Sequence, residues 1–518
     1  MGWYLGLDAS TQSMSTIIID TESGRVVVDE SVGFDECPEY RCPQGFLESD
    51  DPLIKHADPL VWLAALEKLL RKLVDGGIDL SRVVAVSGSG QQHGTVYLNR
   101  RFLDVSAWGA SAGLAAMIEP MLSRKTAPIW MDSSTTVECR EIAEAVGGAE
   151  VVQRKTGSPP IERFSGPQIR RFSKDNPTAY NDTAVVHLVS SFIASVLVGR
   201  GVGVDIGDGA GMNLLNLSTL EWDEDMLAAT APGLRDRLPE VVSSDTIVGR
   251  IAPYFSDKYG FNPDVQIVAW SGDNPNSLIG VGAHAPGTAV VSLGTSHTYF
   301  AAMKKPNVDP EGYGHVFGNP AGGFMSLICF KNGALAQEEI RDRYGLTWEA
   351  FDDCLRSTPP GNSGNMMLPY FVSEITPLVL DAGAVRTGSD EFLNGGDACA
   401  AVRAVVESQA LRLKIHSSWM ASTPDTIRVT GGASVSTEVC RVLADVFNAE
   451  LERLETGNSA GLGAAMRAAE AAGAASWKDL TDRFCQPVKG MNVTPDRDNA
   501  AMYEDMQSRY AAFAREHA

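Results

Sequence analysis

Two carboxylates stand at the ends of predicted strands, each beside a turn that is rich in small residues. Asp8 follows the apolar run 3–7, and Asp273 follows the apolar run 265–270. Phosphoryl transfer requires a cation that neutralises phosphate oxygens, a carboxylate that holds the cation, and a second carboxylate that accepts the proton of the attacking hydroxyl. Asp8 suits the first of these carboxylate roles and Asp273 suits the second. Either residue could instead cap a helix or close a turn, so the spacing alone leaves both interpretations open.

Two tight turns carry small and hydroxyl-bearing residues that could bind phosphate. The first turn, directly after Asp8, contains Ser10 and Thr11; the second contains Gly294, Thr295 and Ser296. Such turns direct backbone N–H groups and hydroxyl oxygens toward one point, as a polyphosphate requires. Turns of this composition also connect ordinary hairpins. Because the two turns occupy corresponding places in the two halves of the chain, they favour two lobes facing one cleft, with a boundary near residue 265.

A third loop resembles a site for a ring or a phosphate. It follows a predicted strand at 427–429, contains Gly431, Gly432 and Ala433, and leads into a helix predicted over 438–447. Glycine lets a ligand approach the backbone closely at a helix N-terminus. Glycine also permits close packing of a helix on a strand, and the loop alone does not distinguish the two.

The elements that must position these residues follow an α/β pattern. Apolar runs at 3–7, 16–20 and 25–28 predict an antiparallel meander. A helix capped by Asp58 comes next, and a strand at 83–86 then leads into a glycine-bearing loop. This order predicts an α/β fold with its chemistry at the C-terminal ends of strands.

Length and charge exclude several classes of function. The 518 residues suggest two large units or about three smaller ones. The chain has 43 Lys and Arg against 65 Asp and Glu, a net charge of −22, and no basic cluster. Nucleic acid and anionic membrane surfaces are therefore not expected partners. The start of the chain has no cationic leader, and no apolar run reaches the roughly 20 residues of a membrane helix, so we expect a soluble, cytoplasmic protein.

Eight cysteines are scattered along the chain without a CxxC motif. Cys37 and Cys42 form the only close pair, which could be half of a metal site or a disulfide but lacks a second half. We therefore expect reduced, structural thiols, in agreement with a cytoplasmic compartment.

Many ordered segments resemble the FGGY family of carbohydrate kinases, members of the actin-like ATPase superfamily, and within it the xylulose kinase subgroup of the kind also found in animals. The resemblance runs nearly the whole length, and so many blocks in order are not expected by chance. They are Asp8-Ala9-Ser10-Thr11-Gln12, Ser87-Gly88-Ser89-Gly90-Gln91-Gln92-His93-Gly94, Trp130-Met131-Asp132-Ser133-Ser134-Thr135-Thr136, Glu162-Arg163-Phe164-Ser165-Gly166, Gly207-Asp208-Gly209-Ala210-Gly211-Met212-Asn213-Leu214-Leu215, Gly272-Asp273-Asn274-Pro275, Ser292-Leu293-Gly294-Thr295-Ser296, Cys329-Phe330-Lys331-Asn332-Gly333 and Thr430-Gly431-Gly432-Ala433-Ser434.

The resemblance implies a two-lobed, actin-like ATPase (ribonuclease H-like) fold with an active-site cleft between the lobes. Residues 1–265 would form the N-terminal FGGY lobe, with the sugar site and the first phosphate segment. Residues 266–518 would form the C-terminal FGGY lobe, with the nucleotide site and the catalytic base. The implied reaction, in xylose metabolism, is Mg²⁺- and ATP-dependent phosphorylation of D-xylulose to D-xylulose 5-phosphate. A sugar and ATP are thus the expected partners, and a homodimer is a further expectation.

The same resemblance assigns roles to individual residues by position. Asp273 matches the catalytic base, and Asp8 matches the carboxylate of the first phosphate segment, where it would hold Mg²⁺. The sugar contacts map to His93, Arg163, Asp273 and Asn274; the phosphate segments to Ser10 with Thr11 and to Gly294, Thr295 and Ser296; and the nucleotide contacts to Trp348, Gly432, Ala433 and Ser436. These residue types fit, because a ketopentose needs many hydrogen-bonding groups and a tryptophan offers a stacking face.

Other interpretations of single residues remain open. His93 could be satisfied within its own loop, Arg163 could pair with a neighbouring glutamate, and Trp348 could be core. Ser10 stands where many family members have glycine, and a serine would be strained there if the backbone needed a positive φ. Ser436 stands where relatives carry asparagine, so this nucleotide contact departs from the family's pattern.

Two alternative functions follow from the same residues. The acceptor could be L-xylulose, ribulose or another polyol. Alternatively, the chain could be an actin- or chaperone-like ATPase switch that moves a partner and phosphorylates no sugar. The second alternative leaves His93, Arg163 and Asn274 without a task.

Overall fold

A computed structural model describes residues 2–104, 108, 113–420, 423–455 and 457–517. The chain forms two units, and each is built from three segments. The first unit comprises 1–284, 316–325 and 457–485, and the second comprises 285–315, 326–456 and 486–518. This division differs from the boundary predicted at residue 265, because 266–284 and 457–485 belong to the first unit.

The first unit is organised around strand β1 (Trp3–Ala9), all of whose residues are buried. β1 runs antiparallel to β2 (Ser13–Asp20) and parallel to β5 (Val83–Gly90). The sheet order is β13 (Ile247–Arg250), β14 (Gln266–Val268), β5, β1, β2 and β3 (Arg25–Gly33), and β15 (Ser271–Gly272) also pairs with β5. The predicted antiparallel meander at the start of the chain is confirmed.

Short strands and helices complete this unit. The strands are β4 (His56–Ala57), β6 (Thr95–Asn99), β7 (Ala127–Pro128), β8 (Thr183–Leu188), β9 (Val204–Asp205), β10 (Leu215–Asn216), β11 (Glu221–Trp222) and β12 (Val241–Val242). The helices are α1 (Pro59–Asp75), α2 (Leu114–Ile118), α3 (Thr136–Val146), α4 (Ala149–Thr156), α5 (Ser165–Asp175), α6 (Pro177–Asp182), α7 (Val189–Val198), α8 (Ile206–Gly209), α9 (Glu224–Thr230), α10 (Pro253–Tyr259), α11 (Asp273–Gly280), α17 (Ser459–Ala471) and α18 (Trp477–Phe484). α1 begins as predicted, because Asp58 accepts a hydrogen bond from the backbone N–H of Leu60 at 2.9 Å.

Helix α17 shows why a late segment of the chain belongs to the first unit. It packs on β1 and on α11. A Cβ placed on Gly6 of β1 would lie 2.0 Å from the carbonyl oxygen of Gly461 and 2.4 Å from the backbone nitrogen of Ala465. Only glycine permits so close an approach of two backbones. α17 therefore braces both the strand and the helix that carry the two predicted catalytic carboxylates.

The second unit is built on a sheet whose centre is β16 (Thr288–Leu293). β16 runs antiparallel to β17 (His297–Met303) and parallel to β24 (Thr426–Thr430). The sheet order in this unit is β19 (Phe324–Phe330), β17, β16, β24 and β25 (Glu450–Arg453), whereas β18 (His315–Gly318) falls mostly in the segment 316–325 of the first unit. Short strands are β20 (Met366–Leu368), β21 (Glu374–Ile375), β22 (Leu378–Val379) and β23 (Val385–Thr387); the helices are α12 (Ala334–Arg343), α13 (Trp348–Ser357), α14 (Asp390–Leu393), α15 (Ala398–His416), α16 (Thr437–Phe447) and α19 (Ala500–Glu516). The predicted hairpin turn after β16 and the helix after the third loop are confirmed.

The cysteines differ from the prediction in one pair. Cys354 on α13 and Cys399 on α15 form a disulfide, so the expectation that all thiols are reduced is wrong. The two residues are 45 positions apart, and packing of their helices brings them together. Cys37 and Cys42 are both buried free thiols. Among the described helices, none has the length and apolar composition that a membrane crossing requires.

Candidate active site

Asp8 lies near the carboxyl end of β1, with 7% of its surface exposed. The register places it beside Ser89 of β5, whose hydroxyl donates a hydrogen bond to Oδ1 of Asp8 at 2.6 Å. Burial raises the pKa of Asp8 to about 7; the bond from Ser89 opposes this shift, and the charge of Asp273 adds to it. Asp8 is thus a buried strand residue and not a helix cap.

Asp273 is the first residue of α11, directly after β15, and Gly272 occupies the N-cap position. Its Oδ1 accepts hydrogen bonds from the backbone N–H of Asn274 at 2.8 Å and from the side-chain amide of Asn274 at 3.0 Å. Burial raises the pKa of Asp273 to about 6, against the effect of backbone hydrogen bonds from Asn274 and Gln92. A carboxylate with this pKa is largely ionised at neutral pH and can accept a proton there.

The two carboxylates belong to the same unit. β1 and β15 both pair with β5 in parallel, with Asp8 opposite Ser89 and Gly272 opposite Gly90. Asp8 and Asp273 therefore lie at the carboxyl ends of strands at the same edge of one sheet. Asp8 and Asp273 were predicted to lie in different lobes, and the structure corrects this prediction, because the pairing of β15 with β5 keeps Asp273 in the first unit.

The turn that contains Ser10 and Thr11 connects β1 to β2. The backbone N–H and the hydroxyl of Ser10 both donate to the carbonyl oxygen of Ser13, each at 3.0 Å. Ser10 is not among the residues with positive φ, so serine in place of the family's glycine does not strain this turn. Thr11 Oγ1 accepts a hydrogen bond from the indole N–H of Trp130 at 2.8 Å. The threonine hydroxyl thus retains its own proton for donation.

His93 follows the end of β5 with a positive φ of 70°. Its Nδ1 lies 2.7 Å from the carbonyl oxygen of Gly211, and its ring stacks on Phe164 with centroids 4.2 Å apart. A carbonyl partner requires the proton on Nδ1, so Nε2 of the neutral ring is an acceptor. This partner lies in another segment of the chain, and not in the residue's own loop. The guanidinium carbon of Arg163 lies 5.6 Å from the centroid of the same Phe164 ring.

Gln92 connects the sugar-site candidates to the base. Its side-chain Oε1 accepts a hydrogen bond from the side-chain amide of Asn274 at 2.9 Å. Its backbone N–H is one of the groups that lower the pKa of Asp273. Gln92 is 3% exposed. The structure therefore brings His93, Asn274 and Asp273 together through a buried residue that lies next to His93 in the chain.

The second unit contains a cavity of about 520 Å³, a volume within the range of small-molecule sites. Its walls come from the turn after β16, the start of α13 and the loop before α16. Six predicted residues line it: Gly294, Thr295, Trp348, Gly432, Ala433 and Ser436. Ser296 lies in the same turn but does not line the cavity. The structure thus gathers most of the predicted nucleotide and second-phosphate residues around one space.

The two glycines of the third loop have different surroundings. Gly431 has a φ of +88°, and a Cβ placed on it would lie 2.7 Å from the backbone carbonyl carbon of Leu293. A Cβ placed on Gly432 would meet nothing within 4 Å. Gly431 therefore serves close packing against the end of β16, and Gly432 opens onto the cavity.

Trp348 begins α13 and is 45% exposed, so it forms part of the cavity wall and is not core. The guanidinium carbon of Arg341 lies 4.5 Å from its ring centroid. Ser436 also lines the cavity, but its hydroxyl donates to Oδ1 of Asp352 at 2.6 Å and accepts from the N–H of Val439 at 3.1 Å. The Ser436 side chain therefore serves as the N-cap of α16.

Sequence reasoning missed several residues that shape these sites. Ser89 and Gln92 belong to the same segment, 87–94, as His93, so their position near the site could have been inferred. Asp352 follows Trp348 by four residues, the spacing at which two residues share a helix face. Glu338, which also lines the cavity, carries no such signal.

Asp8 fits the metal role that was predicted for it. Within the described residues, no group of three or more His, Cys, Asp or Glu could hold a metal ion. Mg²⁺ does not need such a group, since it is commonly bound by one or two carboxylates together with substrate phosphates and water. Ser89 occupies Oδ1 of Asp8, and a cation at the other oxygen would offset the repulsion between Asp8 and Asp273.

Comparison with known sequences gives matches along most of the chain. Residues 120–280 match the N-terminal domain of the FGGY family of carbohydrate kinases, and residues 289–472 match its C-terminal domain. Xylulose kinase of Rattus norvegicus is 38% identical over 517 residues, which is 98% of this chain and 95% of the rat protein. Xylulose kinase 2 of Arabidopsis thaliana is 38% identical over 486 residues, which is 90% of this chain and 86% of the plant protein.

Solved structures match the whole fold. A ligand-bound xylulose kinase from Lactobacillus acidophilus has a TM-score of 0.82 at 21% identity and covers 100% of this chain and 98% of its own. A gluconate kinase from the same organism has a TM-score of 0.82 at 21% identity and covers 99% of this chain and 98% of its own. At this level of identity the likeness concerns the fold alone. It confirms the predicted two-domain, actin-like ATPase fold.

Proposed function

Since the chain belongs to the FGGY family of carbohydrate kinases, we propose that it transfers the terminal phosphoryl group of ATP to D-xylulose and forms D-xylulose 5-phosphate and ADP. The observation that carries this proposal is the 38% identity to a xylulose kinase over 98% of the chain. The chain is therefore a carbohydrate kinase, and its similarity to xylulose kinases supports D-xylulose as the acceptor.

In the proposed mechanism Asp273 accepts the proton of the terminal sugar hydroxyl as the oxygen attacks phosphorus. Its partly raised pKa supports this role, because the group remains ionised at neutral pH yet is basic enough to take a proton. The two hydrogen bonds from Asn274 hold one carboxylate oxygen in place, which orients the carboxylate toward the hydroxyl.

The sugar is held by polar groups around the base. Arg163 supplies donors, Nε2 of His93 supplies an acceptor, and Asn274 supplies its side-chain oxygen. Phe164 sets the plane of the histidine ring by stacking on it. A neutral polyhydroxyl substrate requires such a mixture of donors and acceptors.

Mg²⁺ is part of the proposal, with Asp8 as its protein ligand, and when bound it would neutralise charge on the transferred phosphate. The hydroxyl of Thr11 and the backbone N–H groups of its turn would bind phosphate oxygens. The buried position of Asp8, where burial and Asp273 raise its pKa, supports a role that includes a cation.

The second unit would hold the nucleotide in its 520 Å³ cavity. Trp348 offers an exposed face for adenine, and Gly432 and Ala433 let the ligand approach the backbone. Gly294, Thr295 and Ser296 would bind the phosphates, with Ser296 at the outer end of the turn. Ser436 would contribute through its position more than through its hydroxyl, which already caps α16. The cleft predicted between the lobes stays a prediction.

One experiment tests the proposed activity. ADP release is coupled to an optical assay with D-xylulose, L-xylulose, ribulose, other ketoses, aldoses and polyols, and with no sugar. The proposal expects the highest kcat/KM for D-xylulose and little ADP release without sugar. A higher kcat/KM for another acceptor would replace the substrate, and sugar-independent hydrolysis would favour the ATPase switch.

Two further expectations belong to the proposal. A cytoplasmic location is supported by the use of ATP, whereas the Cys354–Cys399 disulfide removes the argument from reduced thiols. A homodimer stays a prediction, and light scattering coupled to gel filtration measures the oligomeric state.

A further inference from the structure

A second cavity, of about 330 Å³, lies within the first unit and shares no residue with the sites described above. Its walls include His56 of β4, Arg124 and, from α5 and the residue after it, Arg171, Phe172 and Asn176. We call this space the Arg124 cavity. Two guanidinium groups on separate segments thus line one cavity, whose wall also includes Asp175.

The Arg124 guanidinium is held without a carboxylate partner. Its carbon lies 5.1 Å from the ring centroid of Tyr97 and 4.6 Å from that of Phe172. Nη2 lies 3.4 Å from Nε2 of His56, and Nη1 is buried with no hydrogen-bond partner among the described residues. The ion pairs of the described residues do not include Arg124. A buried guanidinium nitrogen with an unsatisfied hydrogen is costly, and a ligand that accepts from Nη1 of Arg124 would remove this cost.

The nearby carboxylate of Asp132 already has hydrogen-bond partners of its own. Asp132 accepts hydrogen bonds from the backbone N–H of Lys55 at 2.9 Å and from the side-chain amide of Gln168 at 2.7 Å, and it lies 3.3 Å from Nε2 of His56. It is therefore satisfied by neighbours other than Arg124. Burial lowers the pKa of Arg124, and the side chains of Tyr97 and Asp132 oppose this shift.

The guanidinium of Arg171 uses two of its three nitrogens in hydrogen bonds. Arg171 donates from Nε to Asp175 at 3.2 Å and from Nη1 to the carbonyl oxygen of Ser134 at 3.0 Å. The Asp175 side chain is 65% exposed, which weakens its charge through solvent screening. Nη2 of Arg171 has no partner among the described residues. The Arg124 cavity therefore combines a guanidinium with one buried, unpartnered nitrogen, Nη1 of Arg124, and a second guanidinium, that of Arg171, whose Nη2 makes no hydrogen bond to the described residues.

We propose that the Arg124 cavity binds a small anion that carries a phosphate group, with the guanidiniums of Arg124 and Arg171 as its principal ligands. Planar guanidiniums donate paired hydrogen bonds to phosphate oxygens. Donors on separate segments suit a tetrahedral group, which accepts from several directions, better than a planar carboxylate. The volume exceeds that of phosphate itself, so a phosphate ester of a small molecule fits the space.

The test is calorimetric titration of the whole protein with inorganic phosphate and with glycerol 3-phosphate, at constant ionic strength. Arg124→Met and Arg171→Met should each weaken binding at least tenfold. The matched control is Arg235→Met, because Arg235 lies in the same unit, is 52% exposed and pairs with Glu224 at the surface. If Arg124→Met does not fold, Arg171→Met still tests the site, since its side chain is 30% exposed and packs less deeply.

Location is checked by soaking crystals with selenate, whose anomalous signal should appear within hydrogen-bond distance of the Arg124 guanidinium. Tighter binding of the ester identifies an organic phosphate, and tighter binding of the free ion identifies inorganic phosphate; either supports the site. Phosphate affinity unchanged in Arg171→Met and in folded Arg124→Met, or acetate bound more tightly than both phosphates, would overturn the proposal.

Discussion

The side-chain amide of Asn274 donates a hydrogen bond to Oε1 of Gln92 across 2.9 Å. The same nitrogen donates to Asp273 at 3.0 Å, so both of its hydrogens are used. These two acceptors determine which way the amide is turned, and they leave the oxygen of Asn274 to accept from another partner. Asn274 would therefore meet a sugar as an acceptor while it holds the base in place.

Replacing Asn274 with Asp should move the acid limb of the pH dependence of kcat/KM to higher pH. The pKa of Asp273 is already raised to about 6. A new carboxylate removes the side-chain hydrogen bond donated to Asp273 and adds repulsion, so we expect the pKa of Asp273 to rise by about one unit. Because the base must be ionised, activity is present above this pKa and is lost as pH falls through it. The coupled assay, run across the pH range, measures the limb.

Asn274→Ala is the matched control, because it removes the side-chain hydrogen bonds without adding a charge. It should raise the KM for sugar with a smaller shift of the limb. If the acid limb of kcat/KM in Asn274→Asp lies at the same pH as in the wild type, the contact between Asn274 and the base is contradicted. The limb is a property of the coupled carboxylates Asp8 and Asp273, not of one residue alone.

Asp273→Asn should lower kcat for the sugar by about 10²- to 10⁴-fold, because the variant keeps the shape of the side chain but cannot accept the proton. Nucleotide binding should persist, since the predicted nucleotide residues lie in the other unit. Stopped-flow or coupled assays give kcat, and calorimetry gives the Kd for ATP analogues. Asp182→Asn, at an exposed position in the same unit, is the control. Retention of more than a few per cent of turnover in Asp273→Asn would remove Asp273 from the role of base.

Asp8→Asn should stabilise the protein at alkaline pH while it impairs turnover. The pKa of Asp8 is raised from 3.8 to about 7 on folding, so the folded state binds the proton more tightly and loses stability as pH rises between these values. The asparagine carries no such penalty, and its gain above pH 7 could reach about 4 kcal/mol. Urea unfolding without Mg²⁺, at pH 8 and at pH 4, measures the free energy of unfolding.

The gain should shrink at pH 4, where the wild-type carboxyl is protonated in the folded state. Turnover of Asp8→Asn should also need more Mg²⁺ than that of the wild type. An unchanged Mg²⁺ titration would contradict the metal role, and an equal gain at both pH values would contradict the buried carboxylate as its cause.

The local sequence pattern was sufficient to predict some elements of this structure. The apolar run 3–7 predicts β1 because every second residue of a strand shares a face and this strand is buried on both. The capped helix α1 and the turn of Gly294 and Thr295 were predicted for similar local reasons. Each depends on residues that are close together in the chain, where propensity and hydrogen bonding act directly.

Long-range contacts account for what could not be predicted. Asp273 was assigned to the wrong lobe because no local signal shows that β15 pairs with β5, or that Gly6 and Gly461 allow α17 to pack on β1. The Cys354–Cys399 disulfide joins positions that are distant in the chain, so scattered spacing gave no indication of it. The segment 87–94 could place Ser89 near the site, but it gave no indication of the bond from Ser89 to Asp8, which spans 81 positions.

Trp348→Ala should raise the KM for ATP about tenfold and change kcat little, because base stacking on an aromatic ring contributes about 1–3 kcal/mol. Trp348 is half-exposed at the cavity wall, so its loss should not unfold α13. Trp348→Phe is the matched control and should keep most of the affinity through its ring. Steady-state kinetics with varied ATP at saturating sugar measures both constants. Equal KM values in all three proteins would remove Trp348 from the nucleotide site.

Gly431→Ala and Gly432→Ala should separate stability from nucleotide binding within two adjacent residues. At Gly431 a methyl group would lie 2.7 Å from the backbone of Leu293, and the φ of +88° disfavours any side chain. This variant should lose on the order of 1–3 kcal/mol of stability, or fail to fold. At Gly432 the methyl group meets nothing within 4 Å, so the melting temperature should stay close to the wild-type value. Its methyl group would instead occupy space in the cavity and raise the KM for ATP. Thermal unfolding and ATP kinetics on both variants test this, and an unstable Gly432→Ala with a normal KM would contradict the assignment of Gly432 to the cavity.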